Sequence, residues 1–169
     1  MTKLFLILPC LIIMFQPLNA KVEAPNYDFS IDTLADFFPG KDVTTIDGKY
    51  GKGEDMGKES GQQTLKYKVA HIRYKFPVIV QVKEGKIEDF LARLPSYFLH
   101  DVFFQSLVKR YGKQTSYKKT GEEAYYTWEI PPLKHVYSAA CTITCFPIFY
   151  AVQKIESRST ILDKMKKAN

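Results

Sequence analysis

The sequence predicts an α+β fold, a mostly antiparallel sheet with helices packed on one face and an internal duplication. Alternation of apolar and polar residues, as in residues 65–69, indicates strands. Helical spacing of apolar residues between positions 96 and 112 indicates a helix. The duplication is indicated by two pairs of similar segments: KYGK at residue 49 with RYGK at 110, and FPVIVQV at 76 with FPIFYAV at 146.

The N-terminus has the order of a secretory signal peptide, which we place at residues 1–20. Lys3 precedes an apolar run at residues 4–15, and the segment ends on the small residue Ala20. A membrane-spanning helix needs about 20 apolar residues, so this run is too short to be one. A buried core helix is the alternative. We expect cleavage after Ala20, which leaves residues 21–169 as a single α+β domain, exported to the periplasm or secreted.

The first repeat is expected at about residues 31–94 and begins with apolar residues at mixed spacing. Apolar residues from Ile31 onward stop at Pro39, and Asp42 is a plausible N-cap for a short helix that ends near Gly48 or Gly51. Residues 52–63 carry glycines and charges and are predicted to form a loop.

Strands are predicted to follow in the first repeat. Residues 65–69 alternate, and residues 76–82 are nearly all apolar. Glu84 and Gly85 suit a two-residue turn between strands. Residues 86–94 fit a third strand or a helix about equally well.

The second repeat is expected at about residues 96–156, and a C-terminal tail at 157–169. A helix is predicted from Pro95 to Gly112, where the glycine suits a left-handed cap. A polar loop containing Gly121 and strands at about 124–130 and 136–152 follow. The tail is predicted to form a short helix with three apolar residues on one side: Ile161, Leu162 and Met165.

Cys141 and Cys145 are the cysteines that remain after cleavage, and export makes a disulfide plausible. Four residues of extended strand span about 13 Å, too far for a bridge. Either the chain turns between them and they form a disulfide, or the thiols are free, or each pairs elsewhere. Neither has a nearby partner for a metal site, so we expect no metal.

Charge and motifs argue against several classes of function. Removing Lys3 from 24 basic and 18 acidic residues leaves 23 − 18 = +5, a mild excess. We expect no nucleic-acid partner, and a weak attraction to membrane surfaces remains open. The chain has no phosphate-binding loop, zinc-ligand spacing or nucleophile elbow. His71 is expected at the surface or an edge. We therefore expect no cofactor and no enzyme activity.

One segment resembles the repeat of a known family. It contains Gly40, Asp42, Ile46 and the run Tyr50-Gly51-Lys52-Gly53, and aromatic strands follow it. It resembles the repeat of the β-lactamase-inhibitor-protein and outer-membrane assembly lipoprotein (BamE-like) superfamily. Residues 102–112 resemble a second copy without the opening glycine. The resemblance implies two tandem repeats and a non-catalytic protein that presents a sheet or loops to a protein partner.

Aromatic residues are the candidate binding groups. Tyr125, Tyr117 and Tyr74 are the candidates for partner binding, because tyrosine is favoured at interfaces. Tyr125 alternates with the predicted inward residues Tyr126 and Trp128, so it is expected to be the most exposed. Phe76 and Phe146, each followed by proline, are expected to pack inside.

Three functions therefore stay open. The first is an exported binding module for an envelope or secreted protein, with exposed aromatics near Tyr125 and a filled interior. The second is a small-ligand or lipid-binding domain, with a cavity of several hundred Å³ between sheet and helices. The third is an uncharacterised hydrolase, with histidine and a carboxylate or cysteine in one cleft.

Overall fold

The computed structural model describes residues 28–71 and 74–168, in which eight strands form one antiparallel sheet. The strands are β1 (Glu54–Glu59), β2 (Gln62–His71), β3 (Tyr74–Lys83), β4 (Lys86–Arg93), β5 (Ser116–Thr120), β6 (Glu123–Ile130), β7 (Leu133–Cys141) and β8 (Cys145–Lys154). The helices are α1 (Asp28–Leu34), the 3-10 helix Ala35–Phe37, α2 (Val43–Tyr50), α3 (His100–Tyr111) and α4 (Ile161–Ala168). The antiparallel sheet is confirmed, and α+β fits only loosely because helices are few and short. The predicted signal peptide, residues 1–20, lies outside the described residues.

The sheet consists of two four-stranded meanders. Its spatial order is β1-β2-β3-β4-β8-β7-β6-β5, so each meander runs from an edge to the centre. The two meanders join where β4 pairs with β8, with Leu91 opposite Ala151. Helix α2 precedes the first meander and α3 precedes the second.

Local signals explain the ends of α2 and the β3–β4 turn. The Asp42 carboxylate accepts a hydrogen bond from the Thr44 backbone N–H at 2.9 Å, which confirms the predicted N-cap. Gly51 ends α2 with φ of +82°, a value that favours glycine. Glu84 and Gly85 both have positive φ, as the predicted two-residue turn requires.

Two segments predicted to be loops are edge strands instead. Residues 54–59 form β1, and Ser116–Thr120 form β5 within the predicted loop around Gly121. Every side chain in both strands is exposed. An edge strand with no buried side has no reason to alternate apolar and polar residues, so the sequence carries no strand signal there. Residues 86–93, which fitted strand or helix, form strand β4.

The main core lies on the first face of the sheet, beneath α1, the 3-10 helix, α2 and α3. Its largest fully buried side chains are aromatic and aliphatic: Trp128, Tyr67, Tyr137, Tyr150, Phe37, Phe90, Phe98, Phe103, Ile31, Leu34 and Ile87. Aromatic rings touch across the layers, as Phe103 does with Tyr137 at a centroid distance of 5.3 Å. The space between these helices and the sheet is therefore filled by side chains.

The two tyrosine-glycine segments occupy similar places in the two meanders. The Trp128 indole N–H donates to the Gly112 carbonyl at 2.8 Å, and the Tyr67 hydroxyl donates to the Asp47 carboxylate at 2.7 Å. Each of these buried aromatics therefore ties its strand to the C-terminal end of the preceding helix.

The second face of the sheet carries Leu91, Val136, Phe149 and Ala151, and helix α4 packs on it. The prediction that helices cover one face is therefore wrong for α4. The short C-terminal helix was predicted, and its residues Ile161 and Leu162 are buried against the sheet. The side chain of Met165 lies outside the described residues. The second face attracts α4 because alternate residues near the centre of the sheet are apolar on this side too.

Two phenylalanines test the assignment of core and surface. We expect Phe103→Ala to lower the free energy of unfolding by about 3–5 kcal/mol, since the ring is fully buried. Phe146→Ala removes a ring that is half exposed, and the expected loss is below about 1 kcal/mol. Urea unfolding of both variants measures the difference, and equal losses would contradict the assignment.

Candidate functional site

The three candidate tyrosines lie in different places. Tyr125 is on the second face and half-buried, with its ring 6.3 Å from that of Phe149. Tyr117 is exposed on the first face, 5.1 Å from the ring of Tyr126. Tyr74 is exposed at one end of the sheet. The three do not form one surface, and Tyr125 is less exposed than the other two, contrary to expectation.

A broad depression crosses the second face beside α4, and we call it the open trough. Its volume is about 440 Å³. Four strands and α4 contribute its lining residues: Ser116, Lys118, Thr120, Glu123, Tyr125, Thr127, Lys134, Val136, Gln153, Leu162 and Asp163. Strand alternation explains this set, because on each strand every second residue points to the same face. The predicted candidate Tyr125 thus lies within the trough.

The open trough combines an apolar floor with charges of both signs. Tyr125, Val136 and Leu162 provide apolar surface, and Lys134 is a basic lining residue. The Tyr125 hydroxyl donates to the Glu123 carboxylate. This hydrogen bond, with burial, raises the pKa of Tyr125 to about 12, so the phenol stays neutral. A neutral phenol beside charges of both signs suits contact with a surface that also carries apolar groups and charges of both signs.

Helix α4 forms one wall of the trough and covers the buried carboxylate of Asp89. The Ile161 backbone N–H donates to Asp89 Oδ2 at 3.1 Å. With its amide oriented by hydrogen bonding, Gln81 donates to the same oxygen at 3.2 Å and accepts from Lys164 Nζ at 2.7 Å. Lys164 also pairs with the Glu59 carboxylate at 2.9 Å. These polar contacts fix α4 across the sheet.

Burial raises the pKa of Asp89 to about 7. The hydrogen bond from Ile161 and the charge of Lys164 oppose this rise but do not cancel it. Asp89 Oδ1 is buried and has no hydrogen-bond partner among the described residues. A protonated carboxyl group costs less than a carboxylate in such a place.

A second surface lies at the end of the sheet where β3 begins and where the β4–α3 and β7–β8 connections lie. Large apolar side chains are exposed there, and we call the set the hairpin end: Tyr74 (60% exposed), Tyr97 (42%), Leu99 (56%), Ile143 (100%) and Phe146 (52%). Four of them, Tyr97, Leu99, Ile143 and Phe146, line an open groove of about 800 Å³. Exposed apolar clusters of this kind mark interaction sites.

Sequence reasoning missed most of the hairpin end. Tyr74 was a candidate, but Phe146 was expected to pack inside like Phe76, which is buried. Phe146 is exposed because it stands beside a tight turn closed by a disulfide between Cys141 and Cys145, whose Cα atoms are 4.1 Å apart. The chain turns between the two cysteines, which was one of the arrangements left open.

The histidines are part of the aromatic packing. His135 Nδ1 shares a hydrogen bond with the Tyr150 hydroxyl at 2.7 Å, and His100 Nδ1 shares one with Tyr137 at 2.9 Å. Burial lowers the pKa of His135 to about 4, so this ring is neutral. His71 is buried against Phe98, so the expectation of a surface position is wrong. The alternating pattern predicted the strand but not the aromatic residues that cover it.

Within the described residues, no group of three or more His, Cys, Asp or Glu side chains could hold a metal ion. No helix in that part of the chain is long and apolar enough to cross a membrane.

No protein-family model matches the chain, and no curated protein is significantly similar to it. Among solved structures, the chain is similar to a DUF4309 family protein (YjgB) from Bacillus subtilis subsp. subtilis str. 168. The two are 11% identical with a TM-score of 0.45, over 68% of this chain and 78% of the other. A likeness this distant carries no argument about function.

The buried carboxyl group of Asp89 predicts a pH dependence of stability. The folded protein keeps a proton on Asp89 up to about pH 7, whereas the unfolded chain releases it near its usual value of 3.8. The contribution of Asp89 to the free energy of unfolding is therefore fully present below about pH 4 and is lost as the pH rises to 7. The loss amounts to at most about 4 kcal/mol.

Urea unfolding across this pH range measures the effect. Asp89→Asn should remove the pH-dependent loss, because the amide does not ionise. Glu88→Gln is the matched control on the same strand, and it should keep most of the loss, because burial, the largest cause of the raised pKa of Asp89, is unchanged. The same pH profile for Asp89→Asn and the wild type would contradict the assignment.

Proposed function

We propose that the protein is an exported, non-catalytic binding module whose second face, at the open trough, contacts an envelope or secreted protein. The observation that carries this proposal is the trough itself, a wide and shallow surface over four strands. Its apolar floor is bordered by Lys118 and Lys134 and by Glu123 and Asp163. Protein interfaces have this combination of an apolar centre and a polar rim.

The filled first face supports a protein partner over a small ligand. A ligand-binding domain would place its cavity between the sheet and the helices, where Trp128, Tyr137 and Phe103 are completely buried side chains. The trough, in contrast, is open to solvent and lies on the other side of the sheet. Its shape suits a broad contact with another macromolecule.

The similar halves support an origin by duplication. Each half has a helix, a tyrosine-glycine pair at the end of the helix and a four-stranded meander. The Phe-Pro pairs at 76 and 146 do not support it, because they lie in the third strand of the first meander, β3, and in the fourth strand of the second, β8. We infer two copies of one motif from the matching helix, tyrosine-glycine pair and meander of each half.

Export is part of the proposal and is supported by the leader-like pattern at residues 1–20. The disulfide between Cys141 and Cys145 fits an oxidising compartment. The periplasm and the outside of the cell both meet this condition.

Photo-crosslinking in cells tests the trough. A photoreactive phenylalanine analogue at Tyr125 or Thr127 points into the trough, and the same analogue at Tyr117 points to the first face of the neighbouring strand. We expect one dominant protein adduct from the two trough positions, identified by mass spectrometry, and none from Tyr117. If the exported protein gives no adduct from the trough, or the same adduct from all three positions, the proposal fails.

A further inference from the structure

The hairpin end is an exposed apolar surface, separate from the open trough. Its exposed side chains come from three separate parts of the chain and not from one element. Tyr74 and Tyr97 lie side by side, with ring centroids 4.9 Å apart. Leu99 stands just before α3, and Ile143 and Phe146 belong to the β7–β8 hairpin. Several separate segments thus place large apolar groups at one end of the molecule.

We propose that the hairpin end docks the protein on the surface of an anionic lipid bilayer. Ile143 and Phe146 enter the interface between headgroups and acyl chains. Tyr74 and Tyr97 lie at the headgroup level, where their rings contact apolar groups and their hydroxyls contact water. The contact is peripheral, with the rest of the sheet outside the bilayer.

The shape of the hairpin end favours a bilayer over a protein as the occupant. Ile143 is fully exposed at the apex of a three-residue turn, and the disulfide between Cys141 and Cys145 closes that turn. A protein would need a matching pocket for a side chain that projects in this way. A bilayer interface accepts projecting apolar side chains without a preformed pocket.

Two basic residues lie at the same end of the sheet, on its second face. Lys75 follows Tyr74, and Arg93 ends β4; both are exposed and line an open depression of about 390 Å³. Neither makes an ion pair with any residue in the described ranges. Asp101 is an acidic residue that lines the same groove as Tyr97, Leu99, Ile143 and Phe146, and its Oδ1 lies 3.9 Å from His100 Nε2. Lys75 and Arg93 are therefore placed to meet lipid phosphates while the tips enter the interface.

Vesicle co-sedimentation tests this proposal on the exported protein, with its N-terminus determined by mass spectrometry. We expect binding to vesicles of phosphatidylcholine with phosphatidylglycerol, and weaker binding to phosphatidylcholine alone or at high salt. The double variant Ile143→Ser with Phe146→Ser should lower the partition coefficient at least ~10-fold, since it removes the two inserting groups. Lys75→Gln with Arg93→Gln should abolish the preference for the anionic lipid.

The matched control lies at the opposite end of the sheet. Ile130 and Ile155 are also exposed, at 38% and 41%, beside the β6–β7 turn. The double variant Ile130→Ser with Ile155→Ser should bind vesicles as the wild type does. Lys83→Gln with Lys86→Gln, at the β3–β4 turn, is the control for charge.

A depth measurement separates insertion from electrostatic adsorption. I143W adds a fluorophore at the tip, and Trp128, the natural tryptophan, is 1% exposed. Vesicles with brominated acyl chains should quench I143W and leave the wild-type fluorescence unchanged.

Three results would overturn the proposal. They are no vesicle binding by the folded wild type, equal losses in the tip and control variants, and no quenching of I143W. In each case the hairpin end would be a contact for a protein or have no binding role. The crosslinks from Tyr125 are measured separately, so failure here leaves the proposal for the trough intact.

Discussion

Pairing of β4 with β8 holds the two halves of the molecule together. These strands are the innermost of each meander, and they are buried on both faces. On the first face Phe90 meets Tyr150 at a centroid distance of 5.9 Å, and on the second Leu91 lies opposite Ala151. Helix α3 packs on β8, and both the 3-10 helix and α4 pack on β4. Helices from both halves and from the tail therefore depend on this one pair of strands.

The sequence predicted the structure well where burial is one-sided. Tyr67 and Trp128 alternate with outward residues, and their strands were correctly placed. Apolar and polar residues alternate along a strand when one of its faces is buried and the other is exposed. The alternation disappears where both faces are exposed, as in β1 and β5. It is also weak near the centre of the sheet, where α4 buries the face opposite the main core. The position of α4 depends on Asp89 and Gln81, which are distant in sequence from the helix.

For the candidate surfaces too, the sequence predicted the face on which a side chain lies but not the contacts that cover it. Alternation correctly placed Tyr125 on the face opposite Trp128, but it could not show that Phe149 and Glu123 would half-bury the ring. The hairpin end is assembled from segments far apart in the chain. Its side chains are exposed because they lie at the end of the sheet, where no other element covers them. Phe76 and Phe146 are each followed by proline and an aliphatic residue, yet only Phe76 is covered, because Phe98 packs against it. Such differences arise from tertiary contacts that a short motif does not encode.

The exposed strands at the two edges have a consequence for the behaviour of the protein in solution. Unpaired edge backbone is a template on which a further strand, including one from another copy, can add. Here β1 is interrupted by a bulge between Asp55 and Gly57, and β5 carries the neighbouring lysines Lys118 and Lys119. An irregular edge at one side and repelling charges at the other discourage copies from joining edge to edge. These edges therefore disfavour strand addition, although the molecule exposes apolar groups elsewhere.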